Sequence, residues 1–210
     1  MSGFTEEMRG RLPPGMQLPE PIAALFDWIE ARGFLSPSAR FEGDRLGTLQ
    51  ALTPPGPGTV VLFRVETQAQ AAENAGGFVD APPAETALRL VPFARTGGDG
   101  SHAAFWLDDE GTQHVVHLGS EGLMCRLGAT PLDFLRLCAI GYDEISGSAL
   151  DAPTRPPDPR GSVRNAPFVE WLTSTWAVTV PATAAEIVGL EPGTDPDDPF
   201  VRWMRTHAIA

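Results

Sequence analysis

The chain has 210 residues, enough to bury one hydrophobic core, and its composition is that of a globular protein rich in glycine and proline. Its formal net charge of −12 disfavours nucleic acid and anionic membranes as partners, because both require a basic surface. A basic protein partner suits this charge better.

The first predicted element is a helix over residues 19–32. Its apolar residues recur at the i, i+3, i+4, i+7 spacing of one helix face and are Ile22, Leu25, Phe26 and Ile29. Pro21 suits the first turn of this helix and Gly33 its end. The segment TPPGPG (53–58) is expected to break regular structure.

The middle of the chain predicts consecutive strands with helices before and after them. The predicted strands are 59–66, 86–94, 103–107, 113–118 and 123–127. A short helix ending at Gly76 separates the first two strands, and Pro92 predicts a bulge or an edge in the second. A further helix follows, with Thr130 as N-cap, Pro131 at N1 and Asp133 at N3. This order predicts an α+β fold with an antiparallel meander rather than βαβ units.

We divide the chain into an α+β domain (1–150), a proline-rich linker (151–165) and a helical C-terminal extension (166–210). The linker sequence DAPTRPPDPRG (151–161) is expected to stay extended on the surface. The extension predicts short helices at APFVEWLTSTW, TAAEIVGL and DPFVRWMRTH, the last one capped by Asp198. Its tryptophans Trp171, Trp176 and Trp203 carry much apolar area, so we expect the extension to dock on the main domain.

No targeting segment is evident in the sequence. The first residues, MSGFTEEMRG, lack the basic and apolar regions of a signal peptide, and no run of about 18 apolar residues occurs. Cys125 and Cys138 do not make a disulfide framework, and their apolar surroundings predict buried free thiols. We therefore expect a cytoplasmic protein without membrane contact.

The candidate catalytic and ligand-binding residues are concentrated in the segment FARTGGDGSHAAFWL (93–107). A P-loop is excluded because it needs a lysine, and all 15 basic residues are arginines. A G-x-G-x-x-G site does not fit, since the segment continues into a strand rather than a helix. No G-x-S-x-G elbow surrounds Ser101 or Ser120. The segment is well suited to a tight turn, in which glycines allow positive φ and the aspartate hydrogen-bonds nearby backbone. The residues of this structural loop are Gly97, Gly98, Asp99 and Gly100.

Metal binding is the main alternative for the histidines. His114 and His117 would share one face of a helix, but QHVVHL predicts a strand, on which residues three apart point to opposite faces. His102 has no second His or Cys close to it in sequence. We therefore predict no metal site, no cofactor and no catalytic residue.

The meander places the polar turns at two ends of the sheet. The GGDGSH loop and the GSEG turn are expected at one end, and the DDEG turn at the other. The candidate partner-binding residues at these two ends are Asp99, Ser101, His102, Asp108, Asp109, Glu110 and Glu121.

Four segments in this order resemble the SUKH superfamily, the Smi1/Knr4-type domain. They are LPEPIAALFDWIEARG, LVPFARTGGDGSHAAFWLDDE, a strand ending in LGSEG, and TPLDFLRLCAIGYDEI, and together they extend over about residues 18–146. The stretch from 34 to 87 has no family landmark, and the chain after 150 lies beyond the usual domain.

The resemblance implies a non-enzymatic binding domain. Bacterial members are commonly immunity proteins that neutralise toxins, often nucleases, and fungal members act as interaction scaffolds. We therefore expect a cytoplasmic SUKH-type protein that binds a basic, nuclease-like toxin domain. Two alternatives stay open: a small hydrolase or ligand-binding protein that uses Asp99, Ser101, His102 and Glu121, and a cellular scaffold without a toxin partner.

Overall fold

The fold is built on one antiparallel sheet, seen in a computed structural model that describes residues 2–39, 42–51 and 58–207. The strands lie side by side in chain order and are β1 (Leu35–Pro37), β2 (Arg45–Gly47), β3 (Leu62–Phe63), β4 (Leu90–Arg95), β5 (His102–Leu107), β6 (Gln113–Leu118) and β7 (Met124–Arg126). Every neighbouring pair is antiparallel. This arrangement confirms the predicted α+β fold with an antiparallel meander.

The structure confirms the ends of some predicted strands and shifts the ends of others. The β5–β6 hairpin pairs in continuous register from His102 opposite Leu118 to Leu107 opposite Gln113. The predicted bulge in β4 is present between Pro92 and Ala94. The strand predicted at 59–66 is reduced to β3, and β4 begins four residues later than predicted because 83–86 are helical.

Helices flank the sheet on both sides. In the described residues they are α1 (Gly3–Arg9), α2 (Glu20–Ala31), α3 (Gln68–Ala75), α4 (Pro83–Thr86), α5 (Pro131–Ala139), a π-helix (Ile145–Leu150), α6 (Pro159–Arg164), α7 (Ala166–Trp176), α8 (Ala185–Val188) and α9 (Pro199–His207). The predicted capping box of α5 is present, since Thr130 Oγ1 accepts from Asp133 N and the Asp133 carboxylate accepts from Thr130 N. The helices α1 and α4 and the π-helix were not predicted.

The main core lies on the sheet face that α2 and α5 cover. Phe93 and Phe105 stack with ring centroids 4.1 Å apart, and Phe134 of α5 meets Phe93 edge-on at 5.4 Å. Phe26 of α2 packs on Phe63 of β3. These rings are fully buried, and burying each one stabilises the fold by about 1.5–3 kcal/mol.

A second core lies on the opposite sheet face, under α9. Trp106, Val116 and Leu118 alternate with the residues that face the main core, as the period of a strand requires. Phe200 and Trp203 of α9 pack on Trp106, with ring centroids 5.1 and 5.8 Å away. The last helix therefore completes the sheet by covering its second face.

The segment between the main domain and the extension is not a uniform linker. The prediction that 151–161 stays extended is wrong from Pro159 onward, where α6 begins. The next helix, α7, places Phe168 and Leu172 in the main core, and Trp171 lies 5.4 Å from Trp28 of α2 between ring centroids. This part of the chain thus belongs to the same packed body as the sheet.

No helix within the described residues is both long and apolar enough to cross a membrane. The predicted TPPGPG breaker lies outside the described residues except for Gly58.

Candidate functional site

The GGDG loop is closed by its own hydrogen bonds. Asp99 Oδ1 accepts from Ser101 N at 2.9 Å and Oδ2 accepts from Ser101 Oγ at 2.8 Å. Burial alone would raise the pKa of Asp99, but hydrogen bonds from Ser101, Ser120 and Ser146 together hold that pKa below its usual range. Gly100, at φ +102°, makes the turn that a β-carbon would strain.

The loop is also fixed against the start of the π-helix. Gly98 N donates to Glu144 Oε1 at 2.8 Å, and Ile145 N donates to Thr96 O at 3.0 Å. A β-carbon on Gly97 would collide with Ser146 Oγ, so this close approach requires glycine. These contacts hold the loop against the π-helix and the residue that precedes it.

The GSEG turn meets the loop at the same end of the sheet, as the meander predicted. Ser120 N donates to Ser101 Oγ at 3.1 Å. The Ser101 hydroxyl is therefore used both as donor and as acceptor, and the residue is only 1% exposed. A nucleophile needs a base and access to substrate, so these contacts argue against the hydrolase alternative. Glu121 is exposed in the turn.

His102 lies at the start of β5. It lines a separate pocket of about 100 Å³, whose wall includes Arg64 and Glu66. The expected grouping of His102 with the loop carboxylate stays a prediction.

The two histidines of β6 face opposite sides of the sheet. His117 lies on the main-core side, is buried, and has its pKa lowered to about 4 by that burial, although the charge of Asp99 opposes the shift. His114 lies on the other side and stacks on Trp106 at 5.3 Å between ring centroids. Among the described residues, no group of three or more His, Cys, Asp or Glu side chains could hold a metal ion.

Both cysteines are buried free thiols. Burial raises the pKa of Cys125 to about 12 and that of Cys138 further still. At neutral pH these thiols are protonated and poor nucleophiles.

The DDEG turn at the other end of the sheet contains acidic residues of two kinds. Asp108 is mostly buried: its carboxylate accepts from Thr112 N at 2.7 Å and lies 2.8 Å from His114 Nε2. Burial alone would raise the pKa of Asp108, but its contacts with His114 and Thr112 lower it. Asp109 and Glu110 are exposed. Of the three predicted partner-binding carboxylates in this turn, Asp108 is thus engaged inside the protein.

A groove of about 330 Å³ runs between this turn and α9. Trp106 and Trp203 contribute to its lining, with Asp109 and Glu110 from the turn and Arg202 from the helix. We call it the acidic groove. Sequence analysis predicted the acidic turn and the aromatic side of α9 separately, but the packing of Trp203 on Trp106 is what brings them together.

A guanidinium group of the protein itself already pairs with Asp109 of the acidic groove. Arg89 lies 2.7 Å from Asp109 Oδ1, and its Cζ lies 5.8 Å from the centre of the Trp203 ring. The Glu110 carboxylate forms no ion pair with any residue that the structure describes. A carboxylate beside an indole face suits a cationic side chain, because charge attraction and the cation–π interaction add.

Comparison with known proteins yields no relative: no protein-family model, no curated protein and no solved structure matches the chain. Function is therefore inferred from the acidic groove and from the sequence resemblance.

Proposed function

We propose that the protein is a SUKH-type protein-binding domain, and that it is an immunity protein which binds and neutralises a basic, nuclease-like toxin domain. The observation that carries the proposal is the acidic groove, where exposed Asp109 and Glu110 lie beside the indoles of Trp106 and Trp203. The two indoles are only 1% and 8% exposed, so they form a rigid apolar base beneath the exposed carboxylates.

Electrostatics favours the same kind of partner. The net charge of −12 attracts a basic domain over a distance of about a Debye length and raises the rate of association. In the bound state, a Lys or Arg side chain of the partner would lie against Glu110 and the aromatic floor. We place the partner-binding role on Asp109 and Glu110, while Asp108 holds the turn in shape.

The experiment begins with the gene next to this one, where the proposal requires a secreted protein with a basic C-terminal nuclease domain. That domain, purified, is titrated with the full chain by calorimetry at low and high salt. We expect a one-to-one complex that weakens as salt rises. The absence of such a neighbour, or a neighbour's domain that does not bind, would refute the proposed function.

A charge reversal then tests the surface. Glu110→Arg should weaken the complex at least tenfold, because it places a cation against a cation. Glu121→Arg is the matched control, since it makes the same charge change in the exposed turn at the opposite end of the sheet. Equal effects of the two variants would show that overall charge, and not the acidic groove, determines binding.

A further inference from the structure

A second cavity, of about 400 Å³, lies on the other side of α9. The side chains that line it include Phe78, Ser120, Met124, Val201, Met204 and Arg205. It is separate from the acidic groove, since α9 turns Arg202 toward the groove and Arg205 toward this cavity. We call it the Arg205 cleft.

The Arg205 cleft has an apolar floor, and one of its walls is formed by glycine backbone without side chains. Phe78 and Met124 are partly exposed in it and pack on the second core, while Met204 lies buried below. Gly122 and Gly193 contribute no side chain, and their positive φ of +90° and +81° keeps larger residues out. Methionines adapt their shape to apolar ligands, and a cavity of this size falls in the range of small-molecule sites.

The polar side of the cleft is cationic. Arg205 is exposed and makes no hydrogen bond or ion pair with any described residue, whereas Arg202, on the same helix, lies near Asp197 and donates to its carbonyl. Ser120 also lines the cavity, but its Oγ lies 3.5 Å from Ser101 Oγ, so the guanidinium is the cleft's main polar group.

We propose that the Arg205 cleft binds a small amphiphilic anion. The single anionic group, a carboxylate or a sulfonate, pairs with the Arg205 guanidinium, and the apolar body lies over Phe78, Met124 and Met204. A polyphosphate is a poor match, because the cleft offers one guanidinium and not the several donors that such a group requires. This site stands independently of the proposed toxin partner.

The test uses the full chain and the fluorescent anion 1-anilinonaphthalene-8-sulfonate as the probe. We expect one probe molecule to bind per folded chain and decanoate to displace it, whereas decylamine, with the same tail and the opposite charge, should not. Displacement by decanoate and decylamine alike would overturn the role of Arg205. Absence of saturable one-to-one binding would overturn the site.

Two charge reversals on one helix locate the binding. Arg205→Glu should weaken probe binding at least tenfold, and Arg202→Glu, with the same charge change on the groove side, should alter it less than twofold. Both side chains are exposed, so both variants should keep the melting temperature of the wild type. Equal weakening by the two variants, or unchanged binding in Arg205→Glu, would refute the proposal. A Phe78→Ser variant should also weaken binding, and if it does not, the apolar floor is not in contact with the probe.

Discussion

Asn165 connects three parts of the protein that are distant in sequence, and its removal should be costly. The residue is 1% exposed, and its Oδ1 accepts from Thr59 N at 3.1 Å. Its Nδ2 donates to Thr59 Oγ1 and to Cys138 O, both at 2.9 Å. The side chain thus ties the start of α7 to the chain before β3 and to the end of α5.

The magnitude follows from these three hydrogen bonds. Asn165→Ala leaves the Thr59 N–H and the Cys138 carbonyl buried without partners, so at about 1 kcal/mol for each bond we expect a loss of about 3 kcal/mol in the free energy of unfolding. Asn165→Asp should be at least as harmful at neutral pH, because a carboxylate oxygen would face the Cys138 carbonyl in place of a donor.

The assay is urea unfolding followed by tryptophan fluorescence. Ser174→Ala is the control, because the Ser174 hydroxyl is exposed and bonds only within α7, to Glu170 O and Trp171 O. We expect that control to change stability by less than about 0.5 kcal/mol. An Asn165→Ala variant that loses less than about 1 kcal/mol would refute the view that this amide fixes α7 to the core.

Three further predictions concern the turn, the buried histidine and the last helix. Asp108→Ala should cost about 1 kcal/mol, because the half-buried His114 ring and the exposed Thr112 N lose their acceptor. Exposed Glu110→Ala should cost less than about 0.5 kcal/mol, and the reverse ranking in urea titrations would contradict the structural role of Asp108. Burial of the neutral His117 imidazole contributes its full stability above the unfolded pKa of 6.5, and up to about 3 kcal/mol of that stability is lost as pH falls through the folded pKa of about 4. His117→Gln should lack this part of the pH dependence of stability. An unchanged pH profile in the variant would assign the pH dependence to other groups. Phe200→Ala should cost about 3–5 kcal/mol and the exposed Leu190→Ala little, so equal melting temperatures would show that α9 is not firmly docked.

Local signals in the sequence predicted the parts of the fold that local physics determines. The β5–β6 hairpin follows from alternation and a glycine turn, and the helices Pro131–Ala139 and Ala166–Trp176 follow from capping and apolar spacing. From the hairpin alone, the meeting of Ser101 with Ser120 could be predicted, because a meander must return its chain to the same end of the sheet.

Contacts between distant residues determined what the sequence did not reveal. The short helix α1 has too few residues for a clear apolar pattern, and its stability depends on α2, since Phe4 N donates to Glu30 and Ser2 N to Asp27. The acidic groove requires Trp203 to pack on Trp106. The sequence did not indicate that Asp108 is buried, because its burial depends on the contact between its carboxylate and His114.

The strictly sequential order of the sheet has a consequence for biosynthesis. Each strand pairs with the one synthesised just before it, so the sheet can grow by successive hairpin closures as the chain emerges. Val79, Phe78 and Ala81 already pack on its second face, but Trp106 there lacks the cover of Phe200 and Trp203 until α9 has been made. The nascent protein therefore carries a partly uncovered apolar surface throughout the synthesis of residues 119–198, an interval in which a chaperone protects such surfaces from aggregation.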